Sequence, residues 1–311
     1  VIPQADISFY SPYEYNKRKS VTVDNIGGKN VPVVIADLSH FSPVYVNDIE
    51  KLGFKFDGEE WEASNSAPDY VYLGSSLYDF KTNGLPLFDD ENEHFIFCDI
   101  TFLTSQFIDW LKKNPDIILI LETKNSNGVA EQRSFFLKLE ENGVRNPVII
   151  RRKYDEDDLS ELQLKAACDF GPLLIDGYGD GIMITNPTTI EKQADTEQVV
   201  NTTAFAILQA SRVRFSKTDY IACPGCGRTL FNLCDTLSNV RKATSHLKNL
   251  KIGIMGCVVN GPGEMADADY GYVGAGPGRI TLYKNKIAVK KNIPQEDAIE
   301  ELINLIKENG D

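Results

Sequence analysis

No run of apolar residues in this 311-residue chain is long enough to cross a bilayer, and its start carries no secretory signal pattern. No membrane-spanning helix is therefore expected. Positive charge is in short supply: 32 Lys and Arg stand against 45 Asp and Glu, a net charge of −13, which argues against general affinity for nucleic acid. Histidine numbers only three, and a second Cys-x-x-Cys is absent, so the paired short spacings of a structural zinc site are missing. There is no internal repeat and no low-complexity tract. Six cysteines, three of them in one constellation, do not make a secreted disulfide framework; a reducing cytoplasm is the expected location. The chain begins at Val1 rather than Met and reads as a fragment or a processed chain.

The charge that is present is unevenly spread. Residues 1–211 hold 18 Lys/Arg and 34 Asp/Glu, a balance of −16, whereas residues 212–311 hold 14 and 11, a balance of +3. The basic end is the one that carries the cysteine constellation. It suits contact with an anion, either a phosphorylated substrate or an acidic protein partner.

Short apolar runs alternate with helical stretches in the first two-thirds. Val31–Ala36, Tyr70–Leu73, Phe95–Cys98, Ile117–Leu121, Val148–Ile150 and Leu173–Ile175 read as buried parallel strands, and residues 44–52, 103–113, 129–142 and 156–168 as helices between them. Asn142-Gly143 supplies a stop to the third helix. Alternation of this kind predicts an α/β layer or barrel. Six strands are too few for a closed eight-stranded barrel, so the expectation is a partial, TIM-barrel-like domain over residues 31–212 that lacks its opening elements, after an irregular segment 1–30. Asp37, His40 and Asp99 fall at strand ends, where structural roles are expected. Thr196–Arg212 has helical spacing, and the polar stretch 214–219 reads as a connector. Residues 213–311 predict a small α+β domain on a mixed sheet: a helix near 229–243, strands near 250–256, 270–273, 279–283 and 286–290, and an amphipathic helix from Glu296 to Glu308. Gly-rich 176–181 follows an apolar run without dinucleotide-binding spacing and reads as a loop, and 274–278 as a hairpin turn.

Cys223-Pro224-Gly225-Cys226 and, thirty residues on, Cys257 in Met255–Glu264 are the chemical core of the sequence. A Cys-x-x-Cys loop lets two sulfurs reach one metal core, and Cys257 follows an apolar run that reads as a strand, which would hold it rigidly. Three thiolates suit three corners of a [4Fe-4S] cluster. Glu264 is placed for the fourth, because the Asn260-Gly261-Pro262-Gly263 turn, with glycines free to take positive φ, would return its carboxylate towards Cys257. A hard oxygen ligand among sulfurs is displaceable and acts as a gate. Cys234 falls on an apolar stripe and reads as a buried thiol, Cys98 and Cys168 as core residues, and His246 as a lone histidine. The competing reading is a non-catalytic interaction module stapled by zinc. A sulfite- or nitrite-reductase-like protein would place a fourth cysteine near Cys257, where there is none.

Residues 223–230 (Cys-Pro-Gly-Cys-Gly-Arg-Thr-Leu) and 254–269 (Ile-Met-Gly-Cys-Val-Val-Asn-Gly-Pro-Gly-Glu-Met-Ala-Asp-Ala-Asp) closely resemble the 4-hydroxy-3-methylbut-2-enyl diphosphate synthase family of the non-mevalonate isoprenoid pathway. The strong resemblance spans about residues 203–311. A weaker one at 170–181 points to the family's long form, in which a barrel-like domain is inserted before the iron–sulfur domain. The resemblance implies Cys223, Cys226, Cys257 and Glu264 as ligands of a [4Fe-4S] cluster and Asn260 as a substrate contact. It implies two-electron reduction of 2-C-methyl-D-erythritol 2,4-cyclodiphosphate, with flavodoxin or ferredoxin as donor and loss of a hydroxyl as water. Family members open with a catalytic TIM barrel, for which this chain has no room before its own incomplete one. The chain is thus expected to be a C-terminal part that holds a cluster and turns over substrate poorly or not at all.

Overall fold

The computed structural model describes residues 14–41, 43–64, 66–81, 94–191, 195–247 and 250–310, with the backbone course of 85–89. It divides into two compact units, Val1–Arg214 and Phe215–Asp311. Of the N-terminal segment expected to be irregular, residues 1–13 lie outside the described residues, and Thr22–Val23 pairs with Ile26–Gly27 in a small antiparallel ladder.

The first unit is built on an eight-stranded sheet: β1 (Val33–Asp37), β2 (Tyr70–Tyr72), β3 (Ser76–Asp79), β4 (Leu85–Asp89), β5 (Phe95–Cys98), β6 (Ile118–Leu121), β7 (Val148–Lys153) and β8 (Gly181–Thr185). Their order is β4-β3-β2-β1-β8-β7-β6-β5. The six strands β2, β1, β8, β7, β6 and β5 run parallel, while β3 and β4 turn back antiparallel. Helices α1 (Val46–Lys51), α2 (Ser105–Lys113), α3 (Gly128–Glu141), α4 (Leu159–Ile175) and α5 (Thr196–Ala210) link or follow these strands.

Side chains alternate along each parallel strand, as the pleat requires. Val34, Leu119, Leu121, Val148, Ile150, Ile182 and Ile184 meet the helices, while Val33, Ile35, Ile118, Ile120, Ile149 and Met183 meet one another on the opposite face. That opposite face shows the sheet to be curled. Tyr72 on β2 lies with its ring centroid 6.0 Å from Phe95 and 5.3 Å from Phe97 on β5. Five strand spacings of about 4.8 Å would hold those strands about 24 Å apart in a flat sheet. The sheet is therefore bent into a half-barrel whose interior is closed by aromatic rings.

Two expectations are corrected here. The gap in the barrel order lies between β2 and β5, where the β3–β4 hairpin stands, and not before the first strand. Leu173–Ile175 is the end of α4, and the sixth parallel strand is Gly181–Thr185. Leu162, Ala166, Phe170, Leu173 and Leu174 form one buried helical stripe, so the adjacent leucines belong to a period of 3.6 that imitates a strand at its end. Cys168 falls off that stripe and is exposed, contrary to its expected core position. Cys98 is buried as expected.

The second unit has a five-stranded sheet in the order β9 (Asp219–Ala222), β10 (Lys251–Met255), β11 (Tyr270–Gly276), β12 (Arg279–Lys284), β13 (Ile287–Pro294). β9, β10 and β11 are parallel, and β11, β12 and β13 antiparallel, which gives the mixed sheet and the expected hairpin after Gly274. Helices α6 (Leu233–Thr244) and α8 (Ala298–Glu308) bury Val240, Leu302, Leu305 and Ile306 on one face, with Tyr270 and Tyr272. The short α7 (Gly261–Glu264) lies in the β10–β11 connection. Asn232 caps α6, its side chain accepting from the Asp235 N–H at 3.2 Å, and this start sets the helix phase. Leu233, Thr236, Leu237 and Val240 turn inwards, and Cys234, expected to be buried, is exposed.

Candidate metal centre

The two loops that carry the cysteines leave the carboxyl ends of adjacent parallel strands. Cys223 directly follows β9, and Cys257 follows β10 by one residue. The carboxyl edge of a parallel sheet is where α/β architectures place their sites. Cys223 is tied to β10 by its N–H, which donates to the Ile254 carbonyl at 3.2 Å. Its side chain packs among Met255, Met265, Ala268 and Val273. Gly225 takes φ of 79°, a left-handed turn that brings Cys226 round beside Cys223. Thr229 fixes this loop, accepting from the Cys226 N–H at 3.0 Å through Oγ1, while its own N–H donates to the Cys226 carbonyl at 2.9 Å. A Cβ on Gly274 would collide with the Gly256 carbonyl, so glycine there lets β11 approach the turn that presents Cys257.

Around these loops lies a cavity of about 180 Å³, lined by Cys223, Cys226, Cys257, Asn260 and Glu264 with Arg228 and Thr229. Every site residue expected from the sequence is on this one wall. Arg228 and Thr229, which carry no site expectation from the sequence, stand in the stretch just after Cys226 and line the cavity as well. The Asn260–Glu264 turn differs from expectation in its means. Neither Gly261 nor Gly263 takes a positive φ; the segment is one turn of helix, with the Glu264 N–H donating to the Asn260 carbonyl at 2.9 Å. Gly261 is needed for packing, since a Cβ there would lie 2.7 Å from the Cβ of Met255.

Each sulfur receives an N–H. The Gly256 amide donates to Cys223 Sγ at 3.2 Å and the Arg228 amide to Cys226 Sγ at 3.4 Å. The backbone N–H groups of Val259 and Asn260, joined by the Arg228 side chain, hold the Cys257 thiol below its ordinary pKa against the opposing effect of desolvation. Such donors favour the thiolate, the form that binds metal. Three thiols and a carboxylate around a roomy cavity are a donor set that fits an iron–sulfur cluster. Among the described residues, no three His, Cys, Asp or Glu side chains close on a point that would hold a single metal ion. His246, exposed after α6, is not on the cavity wall.

The strand-end residues of the first unit are engaged elsewhere. Asp37, at the end of β1, pairs with Arg151 at 2.8 Å and accepts from the hydroxyls of Ser39 and Thr185. Burial pushes its carboxyl up, but the two hydroxyls and Arg151 outweigh that and hold it below the usual carboxylate range. Arg151 also pairs with Glu122 and lies 5.3 Å over the Phe97 ring. His40 sits 3.4 Å from Glu197, and Asp99 caps a short 3-10 turn through the Thr101 N–H. All three side chains are thus engaged by neighbouring groups of the first unit.

Residues 219–308 match the GcpE protein C-terminal domain. Over 98% of its length the chain is 42% identical to the 4-hydroxy-3-methylbut-2-en-1-yl diphosphate synthase (flavodoxin) of Bacteroides fragilis, covering 49% of that protein. The enzyme of the same name from Porphyromonas gingivalis is 44% identical over the whole chain, which covers 48% of it. In the counterpart from Protochlamydia amoebophila, 45% identity covers 81% of the chain and 36% of the relative. The similarity thus reaches well beyond residues 203–311, and the chain spans about half the length of the curated relatives it matches. The chain is similar over nearly its whole length to about half of these 4-hydroxy-3-methylbut-2-en-1-yl diphosphate synthases, and residues 219–308 carry the GcpE C-terminal domain.

Proposed function

We propose that the second unit holds a [4Fe-4S] cluster on Cys223, Cys226 and Cys257, with Glu264 as a displaceable fourth ligand. The observation that carries this reading is the single cavity lined by all three thiols, Glu264 and Asn260, which come from two different strand–loop connections. A zinc staple is the weaker alternative. Structural zinc takes paired short Cys/His spacings, and here the second loop offers one cysteine with neither a second Cys-x-x-Cys nor a histidine close after it. When bound, a cluster with one loosely closed corner supplies a Lewis-acidic iron and single electrons.

The chain's own residues have separable tasks. Glu264 ends a helix of four residues, so its carboxylate can swing off with little disturbance to the sheet. Asn260, one helical turn earlier, offers an amide to an oxygen of the substrate at the same wall. The N–H groups of Gly256, Arg228, Val259 and Asn260 hold the sulfurs in place.

The activity that fits is reductive opening of 2-C-methyl-D-erythritol 2,4-cyclodiphosphate to 4-hydroxy-3-methylbut-2-enyl diphosphate. Two electrons enter and the hydroxyl leaves as water. The flavodoxin in the relatives' names supports a flavodoxin as donor, and the basic balance of residues 212–311 suits an acidic protein or a diphosphate. The half-length match supports a chain that corresponds to the C-terminal part of a long-form enzyme, its first unit being the inserted barrel-like domain and the diphosphate-binding TIM barrel lying in sequence outside it. A cytoplasmic location goes with this chemistry; no described helix is long and apolar enough to cross a membrane. Anaerobic purification tests the proposal. A brown protein with iron and sulfide in near-equal amounts supports it, and a colourless one carrying zinc refutes it. With a chemical reductant the chain alone should reduce the cyclodiphosphate slowly or not at all; rates near those of an intact family member would refute the division of labour.

A further inference from the structure

Arg228 is a cation on the wall that carries all three thiols. It stands two residues after Cys226, donates its backbone N–H to that sulfur at 3.4 Å, and lines the same cavity as Cys223, Cys226 and Cys257. Among the described residues that line the cavity it is the one cation, and Glu264 the one anion. Cys223 likewise takes the backbone N–H of Gly256 at 3.2 Å. Those amides hold the sulfurs whatever residue types carry them. A guanidinium is different, because it brings a full charge that the amides lack.

A centre bound by three thiolates and a carboxylate is anionic, and each electron added makes it more so. Positive charge and N–H donors close to the sulfurs stabilise the reduced state and raise its reduction potential. We propose that Arg228 is a positioning residue whose charge sets the reduction potential of the centre and keeps it within reach of a one-electron protein donor. The residue acts on the thiolate-bound centre through its charge and not on the substrate. Its solvent exposure limits the effect by screening, so about a tenfold change in the reduction constant, ~59 mV for one electron, is expected. This inference rests on the cluster reading of the proposed function.

The test is a redox titration of the anaerobic 311-residue chain, wild type, Arg228→Gln and Arg228→Lys, followed by electron paramagnetic resonance. Dithionite gives one electron to the centre and ends as sulfite; no protein bond is made or broken. Iron and sulfide are measured first on the wild type, since their absence would sink the cluster reading itself. With the cluster present, Arg228→Gln should be harder to reduce by about tenfold, and Arg228→Lys, which keeps the charge, should stay within about threefold of wild type. A potential unchanged in Arg228→Gln would overturn the role, as would a fall in Arg228→Lys as large as in Arg228→Gln. Should Arg228→Gln fail to retain iron, retention by Arg228→Lys assigns the role to charge, and loss from both overturns it.

Discussion

Both units gather polar side chains at the carboxyl ends of parallel strands, and they use that edge in opposite ways. In the first, Asp37, Arg151, Glu122 and Thr185 come from four strand ends and satisfy one another. The result is a plug of one guanidinium held between two carboxylates over an aromatic interior, and a buried pair of this kind resists any ligand that would have to break it. In the second, Arg228 and Glu264 stand on one cavity wall, and among the described residues no ion pair joins them. The thiols are fed by backbone N–H groups, and among the described residues the Glu264 carboxylate has no ion-pair partner. Donors held by backbone alone leave the side chains facing the cavity. The same architectural position therefore serves as a stopper in one unit and as a receptor in the other.

This contrast can be broken by substitution. The largest effect is expected from Cys257→Ser, which should remove nearly all bound iron while leaving the unfolding transition of the first unit in place; iron analysis and calorimetry check both. Asp37→Asn should do the reverse. It leaves Arg151 short of a buried partner and should cost the first unit about 3 kcal/mol, read from denaturant unfolding, with iron content unchanged. Thr229→Val removes the oxygen that accepts from the Cys226 N–H and should weaken iron retention against a chelator by about tenfold.

Acid sharpens the comparison further. The folded Asp37 carboxyl is held below its unfolded value, so its contribution is complete above about pH 4 and is lost as pH falls through the folded value. Stability of the first unit should drop over that window in the wild type and less steeply in Asp37→Asn. The smallest effect is expected from Cys168→Ser, an exposed thiol on α4, whose stability change should lie within about 0.5 kcal/mol.

The receptor was more legible in the sequence than the plug. Cys223, Cys226, Cys257 and Glu264 announce themselves because their neighbours are glycines and prolines, whose backbone demands are local. The strands β1, β5, β6 and β7 are readable as apolar runs because both faces of the sheet are covered. β8 was hidden: it follows the glycine-rich 177–181 stretch, and the leucines just before it imitate a strand from inside α4. Cys168 and Cys234 were misplaced because a helix's phase depends on where it starts and on what packs against it. The Asp37–Arg151 pair and the shared cavity wall of Arg228 and Cys257 bring together residues 114 and 29 positions apart. No local pattern encodes such meetings; the fold brings them about.

Iron and sulfide per chain, determined on protein purified without oxygen, test the account at its centre. The prediction is about four of each, falling together when any one of Cys223, Cys226 or Cys257 is replaced by serine. One zinc per chain without sulfide, or iron that survives those substitutions, would contradict it.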